Sequence, residues 1–188
     1  MRTLIAIASL ALAAGAHAET LNYSFDKVHS QVHASVNHLG FSNSTARFHI
    51  KDGSLSLDAA DWSTAKVDVS LDVAGIDLGD ATWREHVSAE KWFNTAIYPE
   101  ARFVSTQVVK TGEKTLTITG DLTLKGKTLP VTLEATLNQA GPHPFSKKPA
   151  VGFSATTRFK RSEFGLAEYV PAVSDEVSVR IEVEASAG

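Results

Sequence analysis

Alternation with a period of two dominates this chain. Val67, Val69, Leu71 and Val73 are apolar, and Lys66, Asp68, Ser70 and Asp72 between them are polar. Leu116, Ile118, Gly120 and Leu122 interleave with Thr117, Thr119 and Asp121. Val131, Leu133, Ala135 and Leu137 interleave with Thr132, Glu134 and Thr136. Val151, Phe153, Ala155, Thr157 and Phe159 oppose Ser154, Thr156, Arg158 and Lys160, and Val177, Val179, Ile181 and Val183 oppose Ser178, Arg180 and Glu182. Successive side chains on a strand point to opposite faces, so each segment has one dry and one wet side. Val32, Ala34 and Val36 make an earlier strand, and Phe48 with Ile50 another. Short strands are expected over 21–25 and 101–109. About eight or nine antiparallel strands, each with one apolar face, predict an all-β domain, either a sandwich or an extended closed barrel, of which closure removes the exposed edges.

Turn chemistry punctuates these runs. Lys125-Gly126-Lys127 and Thr111-Gly112-Glu113 read as hairpins, and Asp52-Gly53 as a turn or a bulge. Residues 141–149, with three prolines, read as a longer surface loop. One segment breaks the period. Between Ala81 and Asn94, Thr82 with Glu85 offers a capping box and Ser88 a second cap, which predicts one or two short helices near 82–94. Trp83, Trp92 and Phe93 lie there and suit an amphipathic plug over one barrel end.

The inner faces carry small residues at mid-length: Ala34, Gly120, Ala135, Ala155 and Ser105. They leave room for a hollow. Phe103, Phe153 and Phe159 are large enough to fill it, and alternation alone does not choose between the two.

The N-terminus points to export. Met1-Arg2 supplies a positive charge, and an apolar run follows from Leu4 to Ala14. Ala16-His17-Ala18 then places small residues at the two positions a signal peptidase reads. The run is too short to span a bilayer, where about 20 residues are needed. A cleaved leader over 1–18 and a single domain over 19–188 are expected, with a periplasmic location.

Composition excludes several chemistries. With no cysteine, thiol catalysis, iron–sulfur clusters and thiolate zinc are absent. A formal net charge of −3 gives no electrostatic reason to bind nucleic acid. No Gly-x-Ser-x-Gly elbow occurs and no glycine-rich loop precedes a helix, so neither acyl transfer nor phosphate binding has a motif. His29, His33 and His38 raise the question of zinc, but His33 and His38 have opposed strand parity, as does His38 from His49. No metal site is expected.

Five motifs resemble one known family. Asp26-Lys27-Val28-His29-Ser30-Gln31-Val32, followed by Asn37-His38-Leu39-Gly40-Phe41, is similar to the opening signature of the YceI-like family of exported lipid-binding proteins. Ile97-Tyr98-Pro99-Glu100-Ala101-Arg102-Phe103-Val104-Ser105 resembles its tyrosine–proline strand entry, and Gly120-Asp121-Leu122-Thr123-Leu124-Lys125-Gly126 its hairpin. Arg161-Ser162-Glu163-Phe164-Gly165 and Val173-Ser174-Asp175-Glu176-Val177 resemble its closing motifs. Ala34, Glu85 and Glu163 depart from the residues usual there.

The resemblance implies a lipocalin-like barrel that holds a polyisoprenoid or other long-chain lipid, without catalysis and without stable membrane insertion. On that reading Val32, Ala34, Val36, Phe48, Val69, Leu71, Phe103, Leu122, Leu133, Phe153, Ala155 and Phe159 are the expected lining. His38, Arg161 and Glu163 are candidates for the mouth or for a head group, and Arg161 and Glu163 alternatively pair with one another. A homodimer and a transient partner at a respiratory membrane are both compatible with such a carrier. The rival readings are a small-ester hydrolase and a ligand-free interaction or stress module on the same barrel.

Overall fold

The computed structural model describes residues 19–58 and 60–188, and the expected leader lies outside them. The strands are β1 (Thr20–Phe25), β2 (Gln31–His38), β3 (Ser42–Asp58) and β4 (Asp61–Asp77), then, after helix α1 (Ala81–Ser88), β5 (Glu100–Lys110), β6 (Thr115–Leu124), β7 (Lys127–Pro142), β8 (Pro149–Lys160) and β9 (Glu176–Ala187). All pairings are antiparallel. β2, β9, β8, β7, β6, β5, β4 and β3 follow one another around the ring, and β3 returns to β2. The expected all-β barrel is therefore closed.

The ninth strand does not add a ninth stave. β1 lies between β3 and β9, pairing Tyr23 with Leu55 and with Ala187. β2 lies between the same two neighbours further along, pairing Val32 with Phe48 and with Ile181. β1 and β2 are one stave interrupted at Asp26–Ser30. The joint is closed by local chemistry. Asp26 Oδ1 accepts the N–H groups of Val28 (2.9 Å) and His29 (3.1 Å), and the buried Ser30 hydroxyl donates to Glu184 O. The opening signature therefore has a structural role, in which an Asx turn restarts a strand without opening the wall.

Turns follow the expected chemistry where two strands meet closely. Lys125 and Gly126 both have positive φ, 49° and 74°, as a type I′ hairpin requires. Gly126 has a second constraint, since a Cβ there would lie 2.7 Å from the Tyr98 ring. The tyrosine–proline and hairpin motifs therefore meet in space. Asp52-Gly53 is a bulge rather than a turn, because the β3–β4 register shifts between Ile50 and Asp52.

Three expectations about local structure need correction. The α1 cap is Asp80, whose carboxylate accepts the Trp83 N–H at 2.8 Å, and not Thr82. Ser88 does not cap a second helical turn: of the one or two short helices expected, α1 forms, residues 89–97 form turns, and the Ser88 hydroxyl donates back to Arg84 O. Gly120 and Ser105 do not open a hollow. The Phe103 ring fills the space over Gly120, and Ser105 Oγ accepts the Val67 N–H across β4 and β5.

The barrel has two unlike ends. One is closed by Tyr23, Leu55, Leu57, Ala65, Val151, Ala185 and Ala187, with Trp62 and Phe153 packed edge to face. At the other end lie the β2–β3 hairpin, α1 and the 161–175 segment. There Val73, Ala101, Leu124, Val131, Phe164 and Leu166 pack together, and Phe159 meets Phe164 edge to face.

Candidate functional site

The interior is not filled. Between the two ends runs a cavity of about 550 Å³. This falls in the range of small-molecule sites, roughly 300–1,000 Å³. Val32, Ala34, Val36, Phe48, Val69, Leu71, Phe103, Leu122, Leu133, Phe153, Ala155 and Phe159 all line it, together with His38 and Arg161. Strand parity explains this placement, because each of these apolar residues is on the dry face of its segment. Ala34, Ala135 and Ala155 reach the cavity wall, so three of the small residues do leave space.

Glu163 is the exception. It is exposed, is not part of the lining, and does not pair with Arg161. It lies in a single 3₁₀ turn, Arg161–Phe164, which breaks the strand period just after β8 and turns its side chain away.

Arg161 is buried, and its partners are backbone oxygens. Its Nε donates to Ser174 O (2.9 Å), Nη1 to Leu166 O, and Nη2 to both Glu168 O (2.9 Å) and Val173 O (3.0 Å). These acceptors engage four of the five N–H bonds a guanidinium carries. The same side chain packs against the Trp92 ring, 5.9 Å from its centroid. Burial pushes the Arg161 pKa below its ordinary value, and the nearby Asp175 carboxylate opposes that shift. The group stays charged because arginine is so basic. Asp175 accepts both the Ser162 N–H and the Ser162 hydroxyl, and so fixes the turn that carries Arg161.

Polar groups gather at this end. His38, His86, Trp83, Trp92, Arg161 and Tyr169 line the cavity near α1 and the 161–175 segment, whereas Phe25, Leu55, Ala65, Val67 and Leu116 line the opposite end. His86, Trp92 and Tyr169 form a series of tilted ring contacts, with centroids 5.7 and 5.8 Å apart. Trp92 Nε1 donates to His86 Nε2 at 3.1 Å. The exposed lining residues His38, Trp83, His86 and Tyr169 mark this end as the mouth. The alternation could not reveal Tyr169, Leu166 or Val173, because they come from a segment with no period. It did reveal Val177, Val179, Ile181 and Val183, which also line the cavity.

The other histidines are kept apart. His33 bonds Gln31 on the outer wall, and His29 pairs with Asp26 at 2.8 Å on the surface. Asp26, His29 and Glu184 bring ligand-type atoms within 4.8 Å of one another. Asp26 is already engaged there by two backbone N–H groups and by the imidazole, as the stave joint requires.

Comparison with known proteins gives this geometry a family. A YceI-like domain matches residues 23–185. The chain belongs to the YceI-like family. It is 38% identical to protein YceI of Escherichia coli O157:H7, over 96% of this chain and 94% of that one. BcnA of Burkholderia cenocepacia superposes with a TM-score of 0.76 at 27% identity, covering 86% of this chain and 99% of that chain. A polyisoprenoid binding domain from Saccharophagus degradans superposes with a TM-score of 0.68 at 16% identity, covering 89% and 99%, which is a likeness of fold. The matched region of this YceI-like chain reaches from β1 into β9 and so takes in every stave of the ring.

Proposed function

We propose that this YceI-like chain is an exported, periplasmic binding protein that carries a long apolar lipid, a polyisoprenoid such as a prenyl or quinone-like chain, and is not an enzyme. The observation that carries this reading is the apolar cavity of about 550 Å³, with an apolar cluster at one end and its charged and aromatic polar lining gathered at the other. Burying hydrocarbon there supplies about 0.8 kcal/mol per methylene. Such a lining has no means of selecting a small polar substrate.

The asymmetry also orients the ligand. The tail runs toward Phe25 and Leu55, and the head stays near Arg161, His86 and Trp92. Arg161 retains one Nη1 N–H beyond its four carbonyl bonds, which suits a carbonyl or other oxygen-bearing head. The family and the polyisoprenoid binding domain of the same fold support this assignment. Export is supported by the Arg2 charge, the Leu4–Ala14 run and the Ala16-His17-Ala18 site. Against hydrolysis, His86 Nε2 is occupied by the Trp92 indole, and the cavity hydroxyl of Thr157 donates to Thr132 O at 2.7 Å.

The test is organic extraction of the protein purified from its native compartment, followed by mass spectrometry. A stoichiometric long-chain lipid is the expected result. Protein that is lipid-free both from the cell and after incubation with polyprenols overturns the reading.

A further inference from the structure

The mouth has an apolar rim that extends beyond the cavity lining. Leu39 and Phe41, at the tip of the β2–β3 hairpin, are both exposed, Phe41 to 90%. Neither lines the cavity. They are held beside it: the Leu39 N–H donates to Ala172 O at 3.0 Å, and His38 bridges to Val173. In the segment that anchors the tip, Tyr169 and Val170 are also exposed, as is Trp83 on α1. The rim is thus continuous from the hairpin through 169–173 to α1. An exposed patch of this kind around a binding site marks a contact surface rather than chance.

We infer that this rim docks the open end of the barrel onto a phospholipid bilayer, so that the lipid passes between membrane and cavity without crossing water. The inference rests on the carrier reading above. Three observations favour a bilayer over a protein partner. The rim is continuous with an apolar cavity, so a single hydrocarbon phase extends from membrane core to barrel interior once the two meet. Its aromatics are Tyr169 and Trp83, residue types that settle at a membrane–water interface, and Phe41 at the apolar hairpin tip. The charges beside it are mixed, with Arg84 and Lys91 against Glu85, Glu90 and Glu168, so no single-sign field selects a charged protein surface. The contact is peripheral: among the described residues no helix is long and apolar enough to cross a membrane.

The experiment uses the full mature chain, delipidated, with phosphatidylcholine vesicles that do or do not contain the polyprenol solanesol. Cargo-free vesicles report docking by co-flotation, solanesol vesicles report the rate of uptake, and solanesol in detergent reports uptake without a bilayer. Phe41→Asp and the double variant L39D/F41D should lower vesicle partition and uptake from vesicles by about tenfold or more, the loss expected when a buried ring is replaced by a charge. Uptake from detergent should be unchanged, because neither residue lines the cavity. Phe145→Asp adds the same charge at the opposite end, where Phe145 is 89% exposed, and should behave as wild type. Wild-type protein that does not co-float, or rim variants that dock and load normally, overturns the proposal and leaves the rim to a protein partner. Docking with no uptake by either route supports the rim contact and sinks the carrier reading instead.

Discussion

The Phe103 ring lies against the backbone of Gly120 on the neighbouring strand, so closely that a Cβ on Gly120 would fall 2.4 Å from Phe103 Cζ. The glycine leaves room for a large ring to approach the backbone of the wall. A residue that reads in sequence as empty space is therefore space already taken.

Gly120→Ala should force the ring inward and destabilise the barrel by about 1–3 kcal/mol, the usual cost of overpacking. It should also reduce lipid uptake. Adding Phe103→Leu should restore only part of the stability, since the new methyl group still lies 2.5 Å from Val104 O. Urea denaturation of the two variants measures both steps. An unchanged midpoint for the single variant would show that the ring has another place to go.

Strand positions and their inward faces were legible because period two reports directly which side of a segment is dry. This is why Val67 to Val73 and Val177 to Val183 point where the alternation put them. Alternation says nothing about neighbours, so the sharing of one stave by β1 and β2 was hidden. It is also silent where the backbone supplies the contacts. The acceptors of Arg161 are carbonyls of an aperiodic segment, and no side-chain pattern encodes them. The helix start was misplaced for a simpler reason: Thr82 fits a capping box with Glu85, but Asp80 two residues earlier is as good a cap, and it is the one used.

Arg161 should be a structural keystone as well as a candidate head-group contact. Arg161→Met keeps much of the length of the side chain but strands four carbonyls, two of them on the buried residues Leu166 and Val173. The expected loss is about 2–4 kcal/mol. Amide exchange at Leu39 should accelerate with it, because that N–H is anchored on Ala172. Chemical denaturation together with hydrogen exchange tests this. A variant of wild-type stability with normal exchange would mean that the 166–174 segment is held by other contacts.

Acid should loosen the same end. Burial disfavours the Asp175 charge, but the Ser162 N–H and hydroxyl, with Arg161 and Lys160, outweigh it and hold the carboxyl below its ordinary pKa. A depressed folded-state pKa contributes stability that is present above the unfolded value of about 3.9 and is lost as pH falls through the folded value. Asp175→Asn should therefore be less stable than wild type at neutral pH. The gap should close as pH drops below about 4. A gap that is constant across that range would assign the effect of the substitution to geometry rather than to charge.

Ala155 decides whether the cavity works as a lipid site. It lines the wall at mid-strand, opposite Ala135 on one neighbour and Ile181 on the other. Ala155→Trp places an indole at a level where one of the two facing side chains, Ala135, is small. In a packed core this overpacks and costs about 1–3 kcal/mol. In a hollow barrel the ring enters the lumen, and much of that strain is avoided. The comparison needs delipidated protein, because bound lipid raises stability by mass action. Loss of co-purifying lipid with an apo midpoint near that of wild type is the expected outcome. Thr156→Trp, on the exposed outer face of the same strand, should retain both lipid and stability. If Ala155→Trp keeps its lipid, the chain does not pass this level of the barrel. If instead the apo midpoint collapses, the neighbouring Phe103, Leu116 and Ile118 form a packed layer here rather than a wall around a lumen.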